Sequence, residues 1–285
     1  MCELLAMSTR HAAHLTVSLA ALANHSGPAS STRDGWGTAF YQGNDVALFR
    51  EPVAADDSAL VRWLSQHGPA TALAIAHIRR ATLGTVALSN TQPFVRVLAG
   101  RARVFAHNGH LPGIARSAAL AYDRHRPIGD TDAEHAFGAL LERLRGLWGR
   151  AAMPTSFEQR LGVVAQFAAD LRGLGPANFL YADAEFLFAH GHRRIHPKSG
   201  RIEPPGLFRW AHSGHMVEQH LPAQGPPAVP DSPQAAPVQQ AVTLTASVPL
   251  GNAQWQPFAE GEVVLVSAGM VSPQRLPPMP DASTG

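Results

Sequence analysis

Cysteine occurs once in these 285 residues, at position 2, and lysine once, at position 198. A lone cysteine forms no intrachain disulfide, so no oxidising compartment is called for. Charge is equally sparse, with 15% of residues charged and a net charge of +2. Arg96, Arg101 and Arg103 are the nearest thing to a basic patch, and with no aromatic platform among them no nucleic-acid partner is expected. No apolar run reaches the roughly 20 residues that span a bilayer, so no membrane partner is expected either. Neither a GxGxxG nor a P-loop pattern is present, and no dinucleotide domain or cofactor is expected. The absence of internal repeats argues against a solenoid. What remains is a globular chain, 45% hydrophobic, expected in the cytoplasm and long enough to bury a core. One domain is expected over 2–270, carrying a Pro-rich loop at about 220–240 and followed by a flexible tail over 271–285.

The lone cysteine is also the feature the chain is organised around. Removal of Met1 would leave Cys2 with a thiol and a free α-amino group, which together form a nucleophile and its base. A terminal amine has a reference pKa near 8, so at neutral pH a useful fraction is unprotonated. A plainer reading makes Cys2 a small hydrophobe opening the strand Cys2-Glu3-Leu4-Leu5-Ala6-Met7. A third takes Leu15 to Ala20, with Ala21-Leu22-Ala23 behind it, as a signal peptide whose cleavage would delete Cys2; His14, Thr16 and Ser18 interrupt that run.

Element signals are mixed α+β. Ala12 to Asn24 reads as a helix, Asp34 to Tyr41 and Val46 to Phe49 as a hairpin, and Asp56-Asp57-Ser58 as the cap of a helix to about Gln66. Ala70 to Ala76 is a buried-type strand that delivers His77-Ile78-Arg79-Arg80-Ala81-Thr82 at its end. Val95 to Leu98 and Arg103 to Ala106 form a hairpin that runs into His107-Asn108-Gly109-His110. Polar clusters at the ends of apolar strands mark functional loops. Long helices open at Asp130-Thr131-Asp132 and at Ser156. A hairpin spans Phe179 to His190, and strands return at Ala241 to Ser247 and Glu262 to Ser267.

Cys2, His77-x-Arg79-x-x-Thr82, His107-Asn108-Gly109 and Thr131-Asp132-x-Glu134, in that order, resemble the N-terminal-nucleophile (class II) glutamine amidotransferases. The opening Met-Cys-Glu-Leu-Leu, Asp34-Gly35-Trp36-Gly37, Asn90-Thr91-Gln92-Pro93-Phe94 and Pro249-Leu250-x-x-x-x-Trp255 resemble its stand-alone, YafJ-like branch. The resemblance implies a four-layer αββα N-terminal-nucleophile hydrolase fold. It also implies hydrolysis of the glutamine side-chain amide through a Cys2 thioester. Asn108 and the Gly109 N–H would meet the oxyanion, Arg79 the α-carboxylate, Asp132 the α-ammonium, and Thr82 would add a polar contact.

The chemistry suits these residue types. Glutamine is a zwitterion, and a planar guanidinium fork matches its carboxylate. Each group has a purely structural alternative: an ion pair for Arg79, a helix cap for Asp132, a hairpin turn for Asn108-Gly109, and Arg80 could compete with Arg79. His190-x-His192-x-x-x-His196 lacks the accompanying ligands of a metal site, so no metal is expected there and the histidines read as exposed hairpin ends. Partners expected from the resemblance are glutamine or a γ-glutamyl compound, with a separate ammonia-accepting synthase or water as the second substrate. A γ-glutamyl amide hydrolase of the ergothioneine type and a non-catalytic binding module with the same fold are the alternatives. The acceptor and the oligomeric state are not legible.

Overall fold

The computed structural model describes residues 1–27, 30–148, 155–196, 199–216 and 238–273. Of the expected Pro-rich loop at about 220–240, and of the expected tail over 271–285, residues 220–237 and 274–285 lie outside the described residues; Val238 to Gln240 open a strand and Val271 ends one, which corrects the loop and tail bounds there.

Fifteen strands and four α-helices are described. The strands are β1 (Glu3–Ala13), β2 (Trp36–Gln42), β3 (Asp45–Glu51), β4 (Thr71–Ile78), β5 (Phe94–Leu98), β6 (Arg101–Gly109), β7 (Ala177–Ala182), β8 (Leu187–His190), β9 (Arg194–Ile195), β10 (Ile202–Glu203), β11 (Phe208–Met216), β12 (Val238–Ala246), β13 (Gln256–Pro257), β14 (Val263–Ser267) and β15 (Met270–Val271). The helices are α1 (Thr16–Ala23), α2 (Ala59–His67), α3 (Asp132–Arg145) and α4 (Phe157–Arg172). Two sheets result, one ordered β13-β11-β12-β1-β4-β2-β3 and the other β15-β14-β8-β7-β6-β5, beside a small β9-β10 ribbon.

Period-two alternation assigns every strand a face in each layer. Leu4 and Ala6 of β1 point into the space between the sheets and meet Val104 and Ala106 of β6 and Leu180 of β7. Leu5 and Met7 point the other way, onto Leu19 and Leu22 of α1 and Val61 and Leu64 of α2. Across the second sheet, Phe105 and Phe179 turn outward onto Phe137 of α3 and Phe167 of α4. Phe105 stacks on Phe137 at 5.3 Å and Phe167 meets Phe179 edge-on at 5.5 Å. Such pairs contribute roughly 0.5–1.5 kcal/mol each beyond their buried area. The layers therefore run helix, sheet, sheet, helix.

Local chemistry starts the helices where the sequence indicates. Ser58 accepts the Val61 N–H at 3.0 Å, and Ser156 and Gln159 form a reciprocal capping box. The short strands β9, β10, β13 and β15 are additional to those expected, and two longer elements differ from expectation for physical reasons. The helix expected from Ala12 begins only at Thr16, because β1 runs on to Ala13 through a register shift against β4 after Ser8. Residues 8–12 have no apolar alternation; pairing with β12, where Thr9 faces Val242, makes them a strand. β11 is an additional strand. Ala211, His212 and Ser213 lie exposed along it, so it carries little of the hydrophobic pattern that betrays a buried strand.

Candidate active site

The polar clusters meet at one end of the sandwich. β1 and β4 are antiparallel with Glu3 opposite Ile78 and Leu4 opposite His77, which brings Cys2 beside Arg79 and Arg80. The half-buried Cys2 Sγ accepts the Arg80 N–H at 3.2 Å and lies 3.4 Å from the Arg80 carbonyl. Burial pushes its thiol above the ordinary range; the Arg80 N–H, the terminal amine and the Arg79 charge pull the other way, and Asp132 adds to the rise. Three separate sequence clusters thus act on one sulfur.

The terminal amine, carried by Met1, is lowered from its ordinary value by burial and then by Arg80. Arg194 adds to that effect. It is buried, its Nη1 donates to the Ser247 carbonyl, and the Ser247 hydroxyl accepts the Leu4 N–H at 2.9 Å. No sequence signal pointed to Arg194 or Ser247.

Arg79 is 3% exposed, and its fork is fully engaged with main-chain carbonyls. Nη1 donates to Thr85 at 3.0 Å and Asp34 at 3.4 Å; Nη2 donates to Leu83 at 3.1 Å and Gly84 at 3.2 Å. The ion pair offered as its structural alternative is absent among the described residues, and the guanidinium instead holds the 83–85 turn in shape. Asp34, of the Asp-Gly-Trp-Gly motif, accepts the Ala81 N–H through Oδ2 at 2.7 Å and so fixes the same loop. Arg80 is exposed and meets Cys2 through its backbone. Thr82 is exposed too.

β6 brings Asn108 to the rim of the inter-sheet space, on the same face as Val104 and Ala106. The Asn108 side chain is wholly buried, yet neither its Oδ1 nor its Nδ2 has a partner. A buried amide without partners costs on the order of 1–3 kcal/mol. Its carbonyl is pinned by Asn178 Nδ2 at 2.9 Å, as β7 continues the ladder to Asn108-Gly109. The dipeptide is therefore a strand end and not a hairpin turn. A side chain at Gly109 would collide with the Pro176 carbonyl and come within 2.7 Å of His107 Nε2, so only glycine fits.

Asp132 opens α3, but Thr131 is the cap, accepting the Glu134 N–H at 3.3 Å. The Asp132 carboxylate accepts the Ala133 and Leu111 N–H groups, each at 2.8 Å, and His110 stands 3.7 Å away. The Leu111 bond ties the start of α3 to the chain just past Gly109.

Two buried histidines complete the setting. His77 has no partner on either ring nitrogen, and burial, aided by Arg79, lowers its pKa to about 3. His107 is lowered as well, burial outweighing the nearby Asp132 carboxylate. Both are neutral at pH 7. They head the His77-x-Arg79 and His107-Asn108-Gly109 patterns, which was the available signal for them. The histidines of the 190–196 cluster correct the expectation of exposed hairpin ends. His190 and His192 are buried, and His190 donates to the Glu262 carbonyl at 3.1 Å beside the Phe179 ring. Among the described residues no group of three or more His, Cys, Asp or Glu is placed to hold a metal. No described helix is long and apolar enough to cross a membrane.

The site thus has a half-buried cysteine at the head of a central strand, with Arg79 and Asp132 near enough to act on its charge, and a partnerless buried asparagine at the end of β6 in the facing sheet. Over residues 1–284 the chain matches the class-II glutamine amidotransferases, and it belongs to that family. It is 32% identical over 270 residues to a protein of Escherichia coli (strain K12) named "Putative glutamine amidotransferase YafJ", covering 94% of this chain and 98% of that one. A crystal structure titled as a predicted glutamine amidotransferase from Pseudomonas aeruginosa superposes with a TM-score of 0.62 at 29% identity, over 96% of this chain and 100% of that one. The glutamine phosphoribosylpyrophosphate amidotransferase of B. subtilis shares the fold, with a TM-score of 0.54 at 16% identity over 96% of this chain and 49% of the other. The four layers are those of the αββα N-terminal-nucleophile hydrolase fold.

Proposed function

We propose that the protein releases ammonia from the side-chain amide of glutamine through a γ-glutamyl thioester on Cys2. The observation that carries this reading is Asn108, whose buried amide has no partner at the rim of the space that Cys2 borders. A donor held unsatisfied in a dry setting is what a developing oxyanion requires. With Met1 removed, the free amine at Cys2 takes the thiol proton as sulfur attacks the amide carbon. The tetrahedral oxyanion is met by Asn108 Nδ2 and the Gly109 N–H. As the C–N bond breaks, the ammonium gives its proton to the leaving nitrogen, and ammonia departs. Water then adds to the thioester with the amine again as base, releasing glutamate and restoring the thiol.

Asp132 supplies the anion for the α-ammonium. Arg79 supplies positive charge for the α-carboxylate and also holds the 83–85 turn; a bound carboxylate takes up donors now turned to those carbonyls. A separate synthase or water consumes the ammonia. The test is glutamate and ammonia release by protein that starts at Cys2, with glutamine compared against γ-glutamyl amides. Cleavage of γ-glutamyl amides with glutamine left intact would shift the substrate while keeping the chemistry.

A further inference from the structure

The Asn90-Thr91-Gln92-Pro93-Phe94 segment takes no part in the chemistry above, yet its first three residues are each no more than 5% exposed. Its side chains reach every loop of the site. Asn90 Nδ2 donates to the Thr85 carbonyl at 3.1 Å, the same oxygen that accepts Arg79 Nη1 at 3.0 Å. Asn90 Oδ1 accepts the Asp130 N–H at 3.0 Å, two residues before Asp132. One amide therefore clasps the turn shaped by Arg79 to the turn that carries Asp132. The fit is close: a side chain at Gly129 would overlap Asn90 Oδ1 and lie 2.8 Å from the Ser89 carbonyl.

Gln92 does the corresponding work at β6. Its Oε1 accepts the His107 N–H at 2.6 Å and its Nε2 donates to the His107 carbonyl at 3.2 Å. The β5–β6 register places Phe94 opposite Phe105, so position 92 falls opposite 107. The side-chain amide of Gln92 supplies both ladder bonds that a strand backbone would give there, on the residue directly before Asn108. Between the two amides, the Thr91 carbonyl accepts Arg50 Nη1 at 2.7 Å and its hydroxyl donates to Ala87 at 2.9 Å, which holds the segment itself.

We propose that Asn90 and Gln92 are positioning residues with separable tasks: Asn90 sets the spacing of Arg79 and Asp132, and Gln92 sets the aim of Asn108 and the Gly109 N–H. This rests on the proposed glutamine chemistry. Asn90→Ala frees two ground-state contacts together, so it raises KM for glutamine about tenfold with little change in kcat. Gln92→Ala disturbs donors aimed at the transition state, so it lowers kcat by about tenfold or more at nearly constant KM. Rates are normalised to the fraction of protein whose Cys2 titrates with a small alkylating agent, so partial unfolding does not imitate either result. Gln92→Glu keeps the acceptor but places an anion against the His107 carbonyl, and it does not rescue.

Hydrogen exchange on the same variants reads the clasp without any turnover. Asn90→Ala speeds exchange in 79–85 and 128–132 while 105–109 is unchanged, and Gln92→Ala does the reverse. The proposal is overturned by an equal fall in kcat/KM with the same KM in both variants, or by exchange that changes only within 88–92. A wild-type protein that releases no ammonia from glutamine, but whose variants show the paired exchange pattern, would sink the substrate assignment and leave the clasp standing.

Discussion

The N–H of Arg80 donates to the sulfur of Cys2 at 3.2 Å, so the first residues of the chain are held by the polar cluster that ends β4. The thiol contributes little packing area at this half-buried position. Cys2→Ser is expected to abolish ammonia release with an unchanged circular-dichroism spectrum and melting temperature. Undiminished release from that variant would place the chemistry elsewhere.

The mechanism needs the amine on Cys2 itself. Intact mass of the active protein is expected to correspond to a chain beginning at Cys2, and any fraction that keeps Met1 is expected to be inactive. A retained Met1 in fully active protein refutes the nucleophile assignment; a chain starting at Asn24 would instead support the signal-peptide reading.

Activity should follow the terminal amine as pH changes. In the chain that keeps Met1 the terminal amine is lowered by burial and by Arg80, while burial raises the Cys2 thiol, and an amine on Cys2 is expected to meet the same buried, Arg80-flanked setting. Both shifts favour a free amine beside a protonated thiol, and acid works against that state by protonating the amine. In protein starting at Cys2, kcat/KM should climb with pH along a limb whose midpoint lies below the ordinary amine value of 8.0. A profile flat across that range, measured under saturating and subsaturating glutamine, would remove the amine from the mechanism.

Substrate contacts and oxyanion contacts should separate kinetically. Asp132→Ala or Arg79→Ala loses a hydrogen bond to a charged group, on the order of 1.5–3 kcal/mol, or roughly tenfold or more in kcat/KM. Asn108→Ala should act mainly on kcat, by about a hundredfold. Arg79→Lys keeps the charge but cannot span the carbonyls of Leu83, Gly84 and Thr85, so it is expected to recover little. Unaltered glutamine kinetics in both Arg79→Ala and Asp132→Ala would exclude the free amino acid as substrate.

His77 links stability to acid. Its folded-state pKa is about 3 against 6.5 for the free side chain. Between those values the unfolded chain binds the proton and the folded chain does not, so this contribution is whole above 6.5 and drains away as pH falls towards 3. Denaturant midpoints measured from pH 7 to 4 should fall less steeply for His77→Gln than for the parent. Parallel slopes would mean that the ring is not held neutral.

Legibility followed burial. β4 and β6 were readable because buried apolar strands end abruptly in His77-x-Arg79 and His107-Asn108-Gly109, and Ser156 announced α4 through its capping box. β11 and the second half of β1 were not, since their strand state comes from pairing with β12 and their exposed residues show no alternation. The carbonyls that occupy Arg79, and the reach of Asn90 and Gln92 to residues 130 and 107, join positions far apart in the chain. Such contacts leave no local periodicity to detect.

β1 lies between β4 and β12, and Ser247 N–H closes the ladder onto the Leu4 carbonyl at 3.0 Å. The head of the chain is thus walled on one flank by residues made more than two hundred positions later. While the protein is being synthesised, residue 1 is open to a processing enzyme long before that wall exists. Trimming to Cys2, which the proposed mechanism requires, would therefore act on an extended chain, and β12 would afterwards close one flank of the site around the freed amine.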